Sequence, residues 1–227
     1  MIPADRHEGA RPLLQAAHDA LDHLLVGAPT LEGGIRWLEE STGVRAAPGG
    51  SHPGLGTWNA LASLGPRQYI EIIAPDPAQP GVETFYVAGL RDFDGPRVTT
   101  WAARGVDLGS GFPSTLPDAF SCEPARRGAR VRPDGKRLAW TLAFPRHREE
   151  GNFGGALPFF IEWESLESHP GGSTPPGMTL RSLSIQYPKS ERLSGALASL
   201  GIECAVSRAA ASIQVELETP RGIVVLG

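Results

Sequence analysis

The sequence is poor in cysteine, in surplus positive charge and in long apolar runs. Cys122 and Cys204 are the only cysteines among 227 residues. Neither belongs to a CxxC pair, which excludes a thiolate zinc cage and a disulfide framework. A single bridge between them stays open, with two free thiols in a reducing compartment the simpler expectation. No stretch approaches the ~18 consecutive apolar residues of a membrane span. The first twenty residues include Asp5 and Glu8 and no apolar h-region, so they do not read as a secretory signal. A cytoplasmic protein with no membrane partner is expected. Lys plus Arg is 21 against 25 for Asp plus Glu, a formal net charge of −4. That balance lacks the basic footprint of a dedicated nucleic-acid binder. Motifs for phosphate chemistry are also missing: no GxxxxGK[ST] loop and no GxGxxG after a strand, hence no nucleotide cofactor. There is no GxSxG elbow, and Gly109-Ser110-Gly111 lacks the flanking pattern of one.

What is present is an ordinary globular balance, 41% hydrophobic and 20% charged, long enough for a substantial core. A polar lead ends in a short helix near Pro12–Ala20, and Leu21–Val26 reads as a strand. Leu31, Ile35 and Leu38 fall at i, i+4 and i+7, one apolar face of a helix that Thr30 caps and Gly43 stops. Strands follow at Thr57–Leu64 and Gln68–Ala74, joined by a Gly65-Pro66 turn. Further strands are expected at 98–104, 137–144 and 158–163, with a short helix near 118–127 and a turn over Arg132–Lys136. The tail reads strand, helix, strand, strand: 180–187, 190–200, 212–218 and 223–226. Two Pro/Gly-rich linkers, 75–81 and 169–177, divide the chain. This gives a lead (1–19), a first module (20–76), a second module (77–170) and a partial third (171–227).

An internal repeat underlies this division. Tyr69-Ile70-Glu71 and Phe160-Ile161-Glu162 place an aromatic, Ile and Glu in the same order on a late strand of each block. The segment from Leu21-Asp22-His23-Leu24 through Pro48-Gly49-Gly50-Ser51-His52-Pro53-Gly54 and Trp58-Asn59-Ala60 to Ile70-Glu71-Ile72 resembles the glyoxalase-like domain family of the vicinal-oxygen-chelate superfamily. The resemblance runs on more loosely through Trp101-Ala102, Pro158–Trp163 and His169-Pro170. It implies an α+β fold: tandem βαβββ modules whose strands curl into an open cup, with a C-terminal partial βαββ module.

An ionisable residue on an apolar strand is costly to bury unless it is paired or binds an ion. His23 shares a strand face with Leu25, and Glu71 with Tyr69 and Ile73. By residue pattern alone each fits a solvent-facing polar position. The resemblance implies instead that His23, Glu71 and Glu162 hold a divalent metal (Zn, Fe, Mn or Ni) inside the cup, Glu71 and Glu162 facing each other. One imidazole and two carboxylates suit such ions. The fourth ligand position of the family pattern falls at or beside Trp101, which cannot ligate, so Trp101 becomes a substrate-contacting residue. That leaves either an open three-ligand site or one that has lost its metal. His52, in its glycine-rich loop, is the candidate proton carrier, with Glu71 the second catalytic group. Asn59 would hold a substrate oxygen, and His169 would reach the cup rim. The basic cluster from Arg126 to Arg137 is a solvated turn or an anion clamp.

The resemblance implies a divalent-metal-dependent enzyme that stabilises an enolate or related oxyanion of a small oxygen-bearing substrate. The alternative is a non-catalytic small-molecule binding or sequestration protein on the same fold. Either is expected as a monomer or homodimer.

Overall fold

A computed structural model describes residues 14–227, apart from 86, 88, 106, 110–111, 113–115, 132–134 and 136. His7, the Gly109–Gly111 motif beyond Gly109, and most of the expected 132–136 turn lie outside the described residues. The elements run β1 (Gln15–Ala16), α1 (Ala17–Ala20), β2 (Leu21–Gly27), α2 (Leu31–Thr42), β3 (Ala47–His52), β4 (Thr57–Gly65) and β5 (Gln68–Pro75). Next come β6 (Arg97–Arg104), β7 (Phe120–Cys122), β8 (Arg126–Val131), β9 (Arg137–Ala143), β10 (Pro145–His147) and β11 (Phe159–Trp163). The chain closes with β12 (Thr179–Gln186), α3 (Ser190–Ser199), β13 (Ile202–Glu203), β14 (Ala205–Ser207), β15 (Ser212–Thr219) and β16 (Gly222–Leu226).

Eight strands form one curled sheet in the order β3-β4-β5-β2-β6-β11-β9-β8. Outward from its centre, each half reads first, last, third and second strand of its block. β2 pairs in parallel with β5 and β6 with β11, while β2 and β6 meet antiparallel in the middle. Two like modules therefore join across a pseudo-two-fold axis, and curling the joined sheet makes the cup. The four-stranded C-terminal sheet is wired differently, in the order β14-β12-β15-β16. It has the element order strand–helix–strand–strand–strand, one strand more than expected, and its first strand pairs in parallel with its second instead of its last.

Period-two alternation sorts the sheet's side chains. Leu24, Val26, Ile70, Ile72, Trp101, Ala103 and Phe160 pack on the outer face, in one core with α2 and the C-terminal sheet. Full burial of each large aliphatic is worth roughly 1.5–3 kcal/mol. Leu25, Ile73, Ala102, Leu142, Phe159 and Ile161 form a smaller cluster on the other face. Helix α2 begins where the sequence says: Thr30 Oγ1 accepts from the Gly33 N–H at 3.2 Å, and Gly43 ends it at φ 80°. Gly34 lets the helix approach the sheet; a Cβ there would stand 2.5 Å from Ile72 Cγ2.

Two local expectations are corrected. No helix forms near 118–127. Pro124 and Gly128 interrupt helical phase, and the segment pairs instead as β7 with β10 and β8 with β9. Gly128 lies under Trp140, where a Cβ would approach the indole to 2.6 Å. Among the described residues the expected N-terminal helix spans Ala17–Ala20, because Gln15–Ala16 pairs as a strand with Ile202–Glu203; Pro12 and Leu13 lie outside the described residues.

Candidate functional site

The inner face of the cup carries a polar cluster on one side and an apolar wall on the other. His23 (β2), His52 (β3), Asn59 (β4) and Glu71 (β5) come from the first module. Trp140, Leu142, Phe159, Ile161 and Trp163 come from the second, with Arg130 on edge strand β8. The space enclosed is about 50 Å³, room for an ion with a water or for a group of a few atoms.

A β-bulge builds the deepest layer. Leu21 pairs with Ala103 and His23 with Ala102, leaving Asp22 as the extra residue. A bulge re-aims a side chain, and here it turns the Asp22 carboxylate toward the ring of its own neighbour. His23 Nδ1 lies 2.8 Å from Asp22 Oδ1. Because a carboxylate only accepts, Nδ1 carries a proton, which leaves Nε2 to face the cup. Asp22 Oδ2 accepts from Trp163 Nε1 at 3.1 Å and from His169 Nε2 at 3.1 Å. The tautomer of His169 follows, since its Nδ1 accepts the Gly171 N–H at 3.0 Å. Asp22 is 0% exposed. Burial alone would raise its pKa; the hydrogen bonds from His169 and His23, with their charges, outweigh that and hold it at about 2.

His23 is thereby held with Nε2 toward Glu71, 3.4 Å from Oε2, and its ring stacks on Tyr69 with centroids 4.6 Å apart. Glu71, 8% exposed, accepts at Oε1 from Asn59 Nδ2 at 2.8 Å. The same Nδ2 lies 3.2 Å from His52 Nε2, whose other nitrogen contacts Thr57 Oγ1 at 2.9 Å. These contacts fit one tautomer, with the proton on Nδ1 toward Thr57 and the Nε2 lone pair accepting from Asn59. Burial pushes the His52 pKa down and Arg130 adds to this, against the opposing pull of Glu71 and Asp76. His52 is therefore a neutral base facing the cavity.

Several expected site residues lie elsewhere. Glu162 does not face Glu71: its carboxylate accepts the backbone N–H groups of Asp107 and Leu108 at 3.1 and 3.0 Å. In β11 it is Phe159, Ile161 and Trp163 that line the cavity, so Glu162 points to the opposite face. The repeat match was displaced by one residue, which reverses sidedness in a strand. Structurally, Ile161 stands where Glu71 stands in the first module. Trp101 is likewise on the outer face, 0% exposed, with Nε1 donating to the Ala156 carbonyl at 3.0 Å. The position opposite His23 across the pseudo-two-fold is Ala102. The second module thus offers Ala102 and Ile161 where the first has His23 and Glu71. His169 is not at the rim; it lies beneath the cup and positions Asp22.

Sequence reasoning missed Asp22, Trp163, Arg130 and Gly49. Asp22-His23 adjacency was visible, but its use depends on the bulge. Among the described residues, no group of three or more His, Cys, Asp or Glu side chains is arranged to hold a metal ion. His23 Nε2 and the Glu71 carboxylate have the right donor chemistry for one or two positions of such an ion, and a buried carboxylate behind a ligating imidazole is a common supporting arrangement.

A curled sheet of two joined modules with its polar cluster inside is the architecture of the vicinal-oxygen-chelate superfamily. Residues 21–201 match the model of the glyoxalase-like domain, and the chain belongs to that family. No curated protein matches the chain. Among solved structures, a hypothetical protein from Staphylococcus aureus is 14% identical, over 90% of this chain and 83% of that one, with a TM-score of 0.60. Methylmalonyl-CoA epimerase from Mycobacterium tuberculosis is 21% identical over 68% and 95% of the two chains, TM-score 0.38. A hypothetical protein from Bacillus halodurans is 13% identical over 64% and 93%, TM-score 0.41. No helix among the described residues is long and apolar enough to cross a membrane.

Proposed function

We propose that the chain is an enzyme acting on a small oxygen-bearing substrate through a single divalent-ion site in the first module, held by His23 Nε2 and Glu71. The observation that supports this reading is the fixed orientation of His23: Asp22 accepts the hydrogen bond of its Nδ1 proton, so Nε2 is aimed at Glu71, 3.4 Å from an oxygen. With only two side-chain donors, substrate oxygens or waters complete the coordination, and the candidate ions are Zn, Fe, Mn or Ni. Such an ion would polarise a substrate oxygen and offset negative charge developing there. Asn59 keeps Glu71 Oε1 in place. His52, whose charged form burial disfavours, gives up the Asn59 contact at Nε2 to accept the proton and can return it to a second position. The wall of Trp140, Phe159 and Trp163 excludes water from the reacting atoms. Elemental analysis of the purified protein, with thermal shifts across the four ions, tests the reading. A bound ion and a rise in melting temperature that His23→Ala abolishes are expected; no ion and no shift would sink it.

A second reading, non-catalytic ligand binding, draws on a larger cleft of about 740 Å³ that shares Phe159 with the cup. Phe85, Phe144 and Phe159 form a continuous aromatic wall there, with ring centroids 5.6 and 5.2 Å apart. Turnover of any small ketone or aldehyde that requires Glu71 would decide for catalysis.

A further inference from the structure

Strand β16 (Gly222–Leu226) ends the C-terminal sheet, with β15 on one side and no strand on the other. A two-residue turn, Pro220-Arg221, joins it to β15 and closes on the Thr219–Gly222 pair. Such a turn closes on a hydrogen-bonded pair, and pair types alternate along an antiparallel ladder. Gly222, Val224 and Leu226 therefore bond to β15, while Ile223 and Val225 turn their N–H and C=O groups outward. Among the described residues, no backbone hydrogen bond from outside the sheet reaches Gly222–Leu226. Ile223 and Val225 also carry the most exposed large apolar side chains of the described chain, at 59% and 61%.

An open apolar edge invites another strand, and proteins ordinarily guard against it with charge, proline, a bulge or shortness. The other edges of the two main sheets are guarded. β3 has Pro48 and the bulge at Gly49, β8 has Arg126, Arg127 and Arg130, and β14 is three residues long. β16 has no such guard: it reads Gly-Ile-Val-Val-Leu, in unbroken register with β15. Its central residues Ile223, Val224 and Val225 are all β-branched, the type that suits a pleated surface.

We propose that β16 pairs antiparallel with β16 of a second copy of this chain, about a two-fold axis at Val224. This inference goes beyond the reading of the Glu71 site and does not rest on it. In that register Ile223 faces Val225 of the partner subunit, and Val225 faces Ile223 of the partner subunit. Each pair exchanges two hydrogen bonds, so the four outward groups of each edge are all used. An axis at Ile223 would instead set Val225 against the turn residue Arg221. On the solvent side the four facing side chains form one apolar patch. Glu216 and Glu218, which pair with Val225 and Ile223 across the hairpin, make its polar rim, and Arg181 neutralises Glu216 at 3.1 Å. A second copy fits this edge because its own β16 presents the same four groups and the same apolar pair, the self-complementarity that a two-fold contact requires. The contact is small beside the ~800 Å² per partner of a standard interface, so the dimer is reversible.

Sedimentation velocity of the full chain from about 5 to about 500 µM tests this, the range in which a small interface exchanges. The wild type should move from one-chain toward two-chain mass. Val225→Pro removes an N–H that faces outward and leaves the bonds to β15 in place; it should stay at one-chain mass throughout. Ile223→Lys puts a charge on the edge and should do the same, and it carries the test alone should the proline variant fail to fold. Leu166→Lys alters another apolar residue, 51% exposed and off the sheet edge, and should dimerise as the wild type does. Mild oxidation of Val224→Cys should cross-link two chains. The axis sets residue 224 opposite its copy in a non-hydrogen-bonded pair, with Cα atoms ~4.5 Å apart and within disulfide reach. The wild type, with Cys122 and Cys204 alone, should not cross-link. One-chain mass for the wild type at every concentration overturns the proposal. So does association that survives both edge substitutions, association lost equally in Leu166→Lys, growth beyond two chains, or a dimer in which Val224→Cys gives no cross-link.

Discussion

The Asp22 carboxylate lies 2.8 Å from the imidazole of its chain neighbour His23, a contact between adjacent residues that regular strand geometry, with its alternating sides, does not permit. The bulge between Leu21 and His23 creates it. Asp22 then ties the floor of the cup together, joining β2 through His23 to β11 through Trp163 and to the segment after β11 through His169. Replacing it with Asn removes the charge and puts an NH2 donor where one carboxylate oxygen accepted from His23 or His169. Asp22→Asn should lose roughly 2 kcal/mol or more of stability, measured by urea unfolding at pH 7, and should broaden the His23 ring resonances. An unfolding midpoint equal to wild type would contradict the role given to Asp22.

The same carboxylate sets an acid limit. Its folded pKa of about 2 lies below the ordinary 3.8. The stability it supplies is therefore complete above pH 4 and lost as pH falls toward 2, about 2 kcal/mol across that window. Denaturant midpoints at pH 5, 4, 3 and 2 should fall more steeply for the wild type than for Asp22→Asn below pH 4. Parallel curves would speak against a depressed Asp22.

His52 is predicted to titrate below 6.5, because burial disfavours its charged form. A folded pKa below the unfolded one means that His52 favours the folded state above pH 6.5, and that this support is lost as pH falls through the folded value. Proton NMR of the His52 ring against pH reads the midpoint directly. A midpoint at or above 6.5 would show that Glu71 and Asp76 outweigh burial.

Burial raises the Cys204 thiol to about 11 and also raises Cys122. Alkylation of Cys204 by iodoacetamide at pH 8 should run about 100-fold slower in the folded protein than in urea, since thiolate fraction sets the rate. Comparable rates in the two states would remove that inference.

The legible part of this protein was its hydrophobic alternation. The strands at 21–27, 68–75 and 159–163, helix α2 with its Thr30 cap and Gly43 stop, and the side-sharing of His23 with Leu25 and of Glu71 with Tyr69 all follow from local pattern. The resemblance to the family gave His52 and Asn59 a role in the cup, and the structure sets both beside Glu71. Glu162 was misplaced because matching an aromatic-Ile-Glu string by letter fixed its register one residue off, and one residue reverses a strand's face; the position expected at or beside Trp101 is its neighbour Ala102. The Asp22 and Gly49 bulges have no sequence signature beyond residue type, so the buried carboxylate under His23 and the close approach of Gly49 to Asn59 were out of reach. Arg130 was visible only as one member of a basic cluster, because its meeting with Gly49 depends on how far the sheet curls.

The central claim is that the chemistry belongs to the first module alone, to His23 and Glu71 and not to Glu162. Calorimetric titration of Mn²⁺ into the wild type, Glu71→Gln and Glu162→Gln tests it most directly. One ion per chain should bind the wild type and Glu162→Gln with affinities within about threefold, and Glu71→Gln should lose at least tenfold. Loss of binding in Glu162→Gln with binding retained in Glu71→Gln would contradict the account.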